Sequence, residues 1–254
     1  MSTVLDLNCD MGEGFGAWTM GDDLALLDHI TSANIACGFH AGDPATMQRV
    51  VRAALAKGVA VGAHPGLPDL VGFGRREMKV SPADAYAMVV YQVGALAAFA
   101  RAAGGRLNHV KPHGALYNMA AKQRPLADAL VQAVHDVDPT LVFFGLAGSQ
   151  MVAAAQAAGL RVAQEVFADR AYEDDGSLAA RGTPGAMIED AAASLAQVRL
   201  MLQGQVRARS GTLVALQADT LCLHGDQPGA LDFARTLREA LTADGVVLQA
   251  PAPR

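Results

Sequence analysis

The sequence predicts a single α/β domain over residues 1–254, folded as a TIM-like barrel of about seven βα units. Short apolar runs alternate with longer helical segments along the whole chain, as parallel βαβ units require. No composition break or Pro/Gly/Ser-rich linker divides the chain. Polar and charged residues follow the strands, and the carboxyl ends of barrel strands are where active sites are built. An open doubly wound sheet is the alternative, because periodicity alone does not show whether a sheet closes.

The predicted strands are short and apolar, and most are followed by a polar loop. They cover residues 4–8, 34–37, 59–63, 107–111, 141–145, 160–166 and 220–223, with a further candidate at 246–248. The predicted helices lie between them. They cover residues 22–29, 44–57, 82–103, 125–137, 149–158, 185–202 and 228–241.

Two of these helices carry clear start and stop signals. Asp43 is placed as an N-cap, Pro44 occupies the first helical position and Gly58 follows the end. Ser81 is the predicted cap of the long helix that begins at Pro82. The apolar stretch at 85–100 is interrupted by a glutamine and is shorter than a membrane span, so we interpret it as a buried helix of a soluble protein.

Composition narrows the class of protein. Apolar residues make up 52% of the 254 residues and charged residues 18%, which argues against disorder. With 20 Lys and Arg against 25 Asp and Glu, the formal charge of −5 does not favour nucleic-acid binding. Three scattered cysteines form no C-x-x-C pair, so a disulfide framework is not expected and a reducing compartment is. Without a signal-peptide pattern at the N-terminus, we predict a cytoplasmic protein with no membrane partner.

The candidate site residues lie on six loops that follow predicted strands. The candidate catalytic residues are Asp10, Glu13, His40, His64, Lys111 and His113. The candidate substrate-binding residues are Asn8, Arg75, Tyr117, Asp169, Arg170, Arg181, His224 and Asp226. In a barrel these loops open onto one face. The sequence therefore predicts that most of the unusual acidic, basic and cationic side chains of this weakly charged chain lie together on one rim of the barrel.

Each of these features also has a structural interpretation. His40 alone is typical of a hydrogen-bonded structural residue, and Asp43 of a helix cap. The three cysteines are interpreted as small core residues. The sequence contains no phosphate loop, no G-x-S-x-G and no H-E-x-x-H motif. A metal held by Asp10, His40 and His64 is geometrically feasible, but we assign no metal ligands and leave a metal undecided.

Six sequence blocks resemble the LamB/YcsF lactam-utilisation family. They are DLNCDMGEGFG from Asp6, NIACGFHAGDP from Asn34, GAHPGLPDLVGFGRR from Gly62, VKPHGALYN from Val110, FADRAYEDDGSLAARG from Phe167 and LHGDQPGA from Leu223. They occur in the family's order over nearly the whole chain. The resemblance implies a seven-stranded barrel related to polysaccharide-deacetylase barrels. It also implies ATP-dependent opening of the cyclic amide 5-oxo-L-proline to L-glutamate, together with the separate subunits B and C of a 5-oxoprolinase.

The chemistry of the candidate residues agrees with that activity. A five-membered lactam is a poor electrophile, and the missing phosphate loop agrees with ATP acting through the complex. We expect partner subunits to phosphorylate the lactam oxygen and this chain to add water. A base among Asp10, Glu13 and His40 would activate the water, while Lys111 and His113 stabilise the oxyanion or phosphate. Arg75 or Arg170 could hold the substrate carboxylate through a bidentate pair.

Two alternatives are left open at this point. One is a metal-dependent hydrolase of amide or N-acyl bonds that needs no ATP. The other is a non-catalytic subunit that presents a ligand to partner enzymes. Metal analysis separates the first from ATP-dependent lactam opening, and kinetics of rim variants in the reconstituted complex separate the second.

Overall fold

Seven parallel strands close into a barrel in the computed structural model, which describes residues 3–223 and 229–253. The strands of the described residues are β1 (Val4–Met11), β2 (Ser32–Ala36), β3 (Ala60–His64), β4 (His109–Val110), β5 (Val142–Leu146), β6 (Arg161–Phe167), β7 (Gln205–Arg207), β8 (Leu213–Ala215), β9 (Thr220–Leu223) and β10 (Val247–Leu248). The order β1-β2-β3-β4-β5-β6-β9 is completed by pairing of β9 with β1. The predicted closed barrel is therefore confirmed, and the open sheet is excluded.

Helices surround the barrel. Those of the described residues are α1 (Asp23–Leu26), α2 (Pro44–Ala56), α3 (Pro82–Ala102), α4 (Gly114–Lys122), α5 (Arg124–Val137), α6 (Gln150–Ala157), α7 (Ala191–Met201) and α8 (Ala230–Ala243). The predicted caps are confirmed. Asp43 Oδ1 accepts hydrogen bonds from the amides of Ala45 and Thr46 at 2.9 and 3.1 Å, and the Ser81 hydroxyl accepts one from the Asp84 amide at 3.1 Å.

Beyond shifts of one to three residues at the ends of other elements, the structure differs from the sequence prediction in three places. Helix α4 is predicted as loop, because Pro112 and Gly114 are typical helix breakers; instead Gly114 starts the helix with φ +55°. Helix α7 starts at residue 191 and not at 185, because the Asp190 carboxylate caps the Ala193 amide at 2.7 Å. The antiparallel pair β7 and β8 is absent from the prediction, since each strand has only three residues.

The barrel interior is polar because the strands alternate with a period of two. On β1, Asp6, Asn8 and Asp10 face inward, and the apolar residues between them pack against the helices. The carboxylate of Asp6 accepts hydrogen bonds from Ser32 at 2.7 Å and Thr220 at 2.5 Å, residues on the two neighbouring strands. Buried polar groups are hydrogen-bonded in folded proteins, and here these bonds link β1 to β2 and to β9.

One side of the interior is apolar and aromatic. Val142, Phe144 and Ala163 form a small cluster separate from the main core, and the His109 ring stacks on Phe144 with centroids 4.1 Å apart. Gly62 faces this ring, and a Cβ atom at that position would overlap it. Glycine is required there because the strand backbone and the imidazole approach so closely.

Helix α3 is long and apolar enough, by length and composition, to cross a membrane. It packs against β3 and α5 and buries Val89, Val93 and Leu96. This is the packing of a helix in the outer layer of a barrel, as the sequence predicts for this stretch.

Candidate active site

A cavity of about 860 Å³ opens at the carboxyl ends of the barrel strands. The predicted site residues that line it are Asp10, His64, Arg75, Lys111, His113, Tyr117, Arg170 and Arg181. The structure therefore brings candidates from separate loops to one cavity, as the rim hypothesis requires. His224 and Asp226 lie outside the described residues.

The floor of the cavity is a buried ammonium group. Lys111 Nζ lies 2.8 Å from Asp10 Oδ1 and 2.8 Å from Glu165 Oε1, and donates to Asn8 Oδ1 at 3.2 Å. Burial opposes the charge, but the neighbouring Asp10, Cys222 and Glu165 groups raise the pKa of Lys111 well above its usual value. Lys111 therefore presents a fixed positive charge, 3% exposed, to whatever enters the cavity.

Asp10 is held as a carboxylate beside this lysine. Its Oδ1 also accepts a hydrogen bond from Asn34 Nδ2 at 2.8 Å, and its Oδ2 lies 3.3 Å from His64 Nε2. Burial alone would raise the pKa of Asp10, but the charges and hydrogen bonds of His64 and Lys111 together lower it well below its usual value. The result is an ionised acid with one oxygen on the ammonium and the other directed to the histidines.

A second layer of polar residues holds Asp10 in place. Asn34 Nδ2 also donates to Asn8 Oδ1 at 2.7 Å, and Asn34 Oδ1 lies 2.7 Å from His109 Nε2. Burial, together with the nearby charges of Lys111 and His64, lowers the pKa of His109 to about 3, so this ring is neutral. Asn8, a predicted substrate-binding residue, lies beneath Lys111 and supports it.

Three residues of the site, Glu165, Asn34 and His109, are absent from the candidates that the sequence predicts. Each lies within or beside a predicted strand, whereas the candidates were taken from the loops that follow the strands. The available signal was a charged or amide side chain at alternate positions of an otherwise apolar strand, as in Gln164-Glu165-Val166. Cys222, interpreted as a core residue, is buried and accepts a hydrogen bond from Lys111 Nζ at 3.1 Å.

Three histidines form a cluster against Asp10. His64 Nε2 lies 2.9 Å from His113 Nδ1, with the two rings perpendicular. The His40 ring stacks on His113 with centroids 3.7 Å apart and planes 3° apart. Burial and the neighbouring histidines lower the pKa values of His40 and His113 well below the usual range, so both rings are neutral.

The loop after β3 approaches these rings through an unusual backbone. Phe73, at φ +54°, and Gly74, at φ +61°, are both left-handed. A Cβ atom on Gly74 would lie 2.7 Å from His40 Cβ and 2.9 Å from His113 Cδ2. This geometry lets the Phe73 carbonyl contact His113 Nε2 at 2.8 Å. Unusual backbone conformations of this kind persist only where the surrounding structure holds them, and they cluster at functional sites.

Glu13 lies beside the histidines, behind the cavity wall. Its Oε1 is 3.7 Å from His113 Nδ1 and 4.0 Å from His40 Nε2. Glu13, His40, His64 and His113 are all buried, and one donor atom from each lies within 4.8 Å of the others. Among the described residues, these four form the group that could hold a metal ion, and Asp10 of the triad considered from the sequence is not part of it.

The wall of the cavity also carries arginines. Arg170 Nη2 donates to the Ala179 carbonyl at 2.6 Å, and Arg170 Nε has no partner among the described residues. Burial and the neighbouring Arg181 lower the pKa of Arg170 to about 10, which still leaves it charged at neutral pH. The guanidinium of Arg75 lies over the Phe73 ring at 4.8 Å. This wall suits an anionic substrate group.

Two further candidates occupy less direct positions. The Tyr117 hydroxyl is buried, and burial and Glu165 raise the pKa of Tyr117 well above its usual value, so it is a neutral phenol. Asp169 is partly buried next to Arg170 and is not among the residues that line the cavity.

Comparisons with known proteins agree with this architecture. The model of a family described as the LamB/YcsF family matches residues 5–254. The A subunit of a 5-oxoprolinase from Bordetella pertussis is 62% identical over 251 residues, which cover 98% of this chain and 100% of that protein. The A subunit of a 5-oxoprolinase from Geobacillus kaustophilus is 57% identical over 249 residues, covering 98% and 97%. The crystal structure of a lactam utilization protein from Thermus thermophilus aligns with a TM-score of 0.92 at 49% identity, covering 98% of this chain and 100% of that one.

Proposed function

The chain belongs to the LamB/YcsF family, and we propose that it is the component of an ATP-dependent 5-oxoprolinase that opens the lactam ring. The similarity to proteins named as the A subunit of 5-oxoprolinase covers nearly the whole chain. The observation that carries the proposal is the Lys111 ammonium beside the ionised Asp10 on the floor of one cavity. A cation and a base on the same reacting centre are what amide hydrolysis requires.

In this proposal Lys111 stabilises the negative charge of the phosphorylated lactam oxygen when water attacks the ring carbon. Such preorganised charge is the largest single contribution to catalysis in many acyl-transfer sites. Asp10 takes the proton from the attacking water and returns it to the ring nitrogen as the C–N bond breaks. This leaves an acyl phosphate of glutamate, which a second water hydrolyses to glutamate and phosphate. Asn34 and His64 hold the Asp10 carboxylate in position for the proton transfer.

The arginine wall is proposed to hold the anionic parts of the substrate. A guanidinium binds a carboxylate or a phosphate through two parallel hydrogen bonds. Arg170 Nε has no hydrogen-bond partner in the described part of the chain, and Arg170, Arg181 and Arg75 line the same cavity. We assign these residues to the substrate carboxylate and to the phosphate carried by an activated lactam.

Activation itself is assigned to partner subunits. The lettered names of the relatives imply a complex of several chains, and we propose that subunits B and C phosphorylate the lactam with ATP. The sequence of this chain contains no phosphate-loop motif, which supports that division of labour. Hydrolase activity on a cyclic amide then belongs to the complex, and a cytoplasmic location stays a prediction.

Reconstitution of this chain with the two candidate partner subunits tests the proposal. Glutamate released from 5-oxoproline should depend on ATP and on this chain. Asp10→Asn should lower kcat by about 10²–10⁴-fold, the usual loss for a general base. Asp128→Asn, at an exposed position on α5 where Asp128 pairs with Arg124, is the matched control and should leave the rate unchanged.

Three results would contradict the assignment. Full activity of Asp10→Asn would remove the base. Hydrolysis of simple amides by this chain alone, without ATP, would favour the metal-dependent hydrolase. Weaker substrate binding by Asp10→Asn with an unchanged kcat in the complex would favour the ligand-presenting subunit.

A further inference from the structure

The protonation pattern of two buried histidines is determined by backbone carbonyl groups. His64 Nδ1 lies 2.7 Å from the Lys111 carbonyl oxygen, and His113 Nε2 lies 2.8 Å from the Phe73 carbonyl oxygen. A carbonyl oxygen only accepts hydrogen bonds, so each of these nitrogens carries a hydrogen. In a neutral ring the other nitrogen then has a lone pair.

These two remaining nitrogens face each other. His64 Nε2 and His113 Nδ1 are 2.9 Å apart. Two carboxylate oxygens lie close to them: Asp10 Oδ2 is 3.3 Å from His64 Nε2, and Glu13 Oε1 is 3.7 Å from His113 Nδ1. Two ring lone pairs and two carboxylates this close together repel each other unless a positive charge lies among them. The occupant is therefore either a shared proton or a metal ion.

We propose that Glu13, His64 and His113 bind a divalent transition-metal ion of the zinc class. In a tetrahedral zinc site with Zn–N bonds of about 2.05 Å, neighbouring donor atoms are about 3.3 Å apart. The separations of 2.9 Å between the histidine nitrogens and 3.7 Å to Glu13 lie on either side of that value. A mixed nitrogen and oxygen donor set also favours zinc over magnesium or calcium.

The surroundings have the features of a metal site. Histidine ligands almost always donate their second N–H to a carbonyl or carboxylate, which orients the ring, and both histidines do so here. Three protein ligands leave a fourth position for water or substrate, as in catalytic zinc sites. The site lies beside Asp10, since Asp10 Oδ2 is 3.3 Å from His64 Nε2.

His40 supplies the second independent observation. It is fully buried, and neither of its ring nitrogens has a hydrogen-bond partner among the described residues. Leaving a buried polar atom unpaired is energetically unfavourable. The His40 ring stacks on the His113 ring with centroids 3.7 Å apart, so the nitrogens of His40 lie in a plane parallel to that of His113. This position suits a contact with the water or substrate oxygen that occupies the fourth position.

Metal binding by the purified chain tests the inference without any enzymatic assay, so its outcome is independent of the proposed 5-oxoprolinase role. Protein stripped with a chelator is titrated with Zn²⁺ by calorimetry and with Co²⁺ by absorption spectroscopy. We expect one ion per chain, the intense visible bands of four-coordinate Co²⁺, and a higher Tm with zinc. His64→Ala and His113→Ala should lose all three signals. His135→Ala, at an exposed histidine on α5, should keep them.

Direct observation of the ring nitrogens decides the question even if the buried variants fail to fold. In ¹⁵N spectra of the wild-type chain, one equivalent of Zn²⁺ should shift His64 Nε2 and His113 Nδ1, and leave both rings of His29 and His135 unchanged. Absence of stoichiometric zinc binding, with a proton detected on His64 Nε2, would show that a shared proton is the occupant and overturn the proposal. Binding that survives in folded His64→Ala and His113→Ala would overturn it as well.

Discussion

Replacement of Lys111 by methionine should destabilise the protein strongly at neutral pH. The ammonium lies 2.8 Å from the Asp10 carboxylate and 2.8 Å from Glu165, which is fully buried. Methionine has a similar volume, so the main effect is two buried carboxylates without a cation. Removing one partner of a buried ion pair costs about 3–5 kcal/mol, and we expect Lys111→Met to lose stability in the same range.

The pH dependence of stability and a double variant show whether the unpaired carboxylates cause the loss of stability in Lys111→Met. Without the ammonium, less opposes the effect of burial, which raises the pKa of Asp10 in the folded state. The folded state then binds extra protons, so the free energy of unfolding of Lys111→Met should fall as pH rises from about 4 to 7. Adding Glu165→Gln removes one of the unpaired charges and should recover about 1–2 kcal/mol relative to Lys111→Met.

Urea unfolding followed by circular dichroism measures these differences. Lys122→Met is the matched control, because Lys122 is an exposed residue of the same cavity. It should stay within about 0.5 kcal/mol of wild type. A loss below about 1 kcal/mol for Lys111→Met, with the same pH profile as wild type, would refute the view that the ammonium holds the two carboxylates in place.

Three further variants examine other parts of the barrel. Burial raises the pKa of Asp6 from 3.8 to about 6 against the hydrogen bonds it accepts, so its ionisation favours the unfolded state. Relative to Asp6→Asn, wild type should lose about 2 kcal/mol of unfolding free energy between pH 4 and pH 7 in urea titrations; parallel curves would disprove this. Gly62→Ala places a Cβ against the buried His109 ring and should cost about 1–3 kcal/mol in thermal unfolding, and an unchanged Tm would show that the ring moves freely. Asp43→Ala removes the α2 cap and should cost about 1 kcal/mol in the same experiment, whereas no loss would mean that the cap adds nothing.

Local signals predicted much of the fold correctly. The cap at Asp43, the start of α3 at Pro82 and the strand at β9 depend on a few neighbouring residues, and these elements were located to within one or two positions. Helix α4 was missed because Gly114 and the preceding Pro112 are breakers by composition. There the neighbouring loop overrides the local preference, since the Ala115 amide donates to the Gly74 carbonyl at 2.9 Å.

The candidate site was likewise predicted only in part from local signals. Asp10, His64, Lys111 and His113 could be found because each lies at or just after the carboxyl end of a strand, and the ends of parallel strands share one face. Glu165 and Asn34 are equally part of the site, but their roles depend on which strands become neighbours around the closed barrel.

The amino-acid sequence alone determined the alternation of strands and helices, the family resemblance and the set of polar residues after the strands, because these are properties of short segments. Only the tertiary structure decided that Lys111 lies between two carboxylates and that His64 and His113 face each other. Those contacts join residues tens to more than a hundred positions apart. Their distances come from barrel closure and from backbone carbonyls that orient each ring, and neither is encoded in any local stretch of the chain.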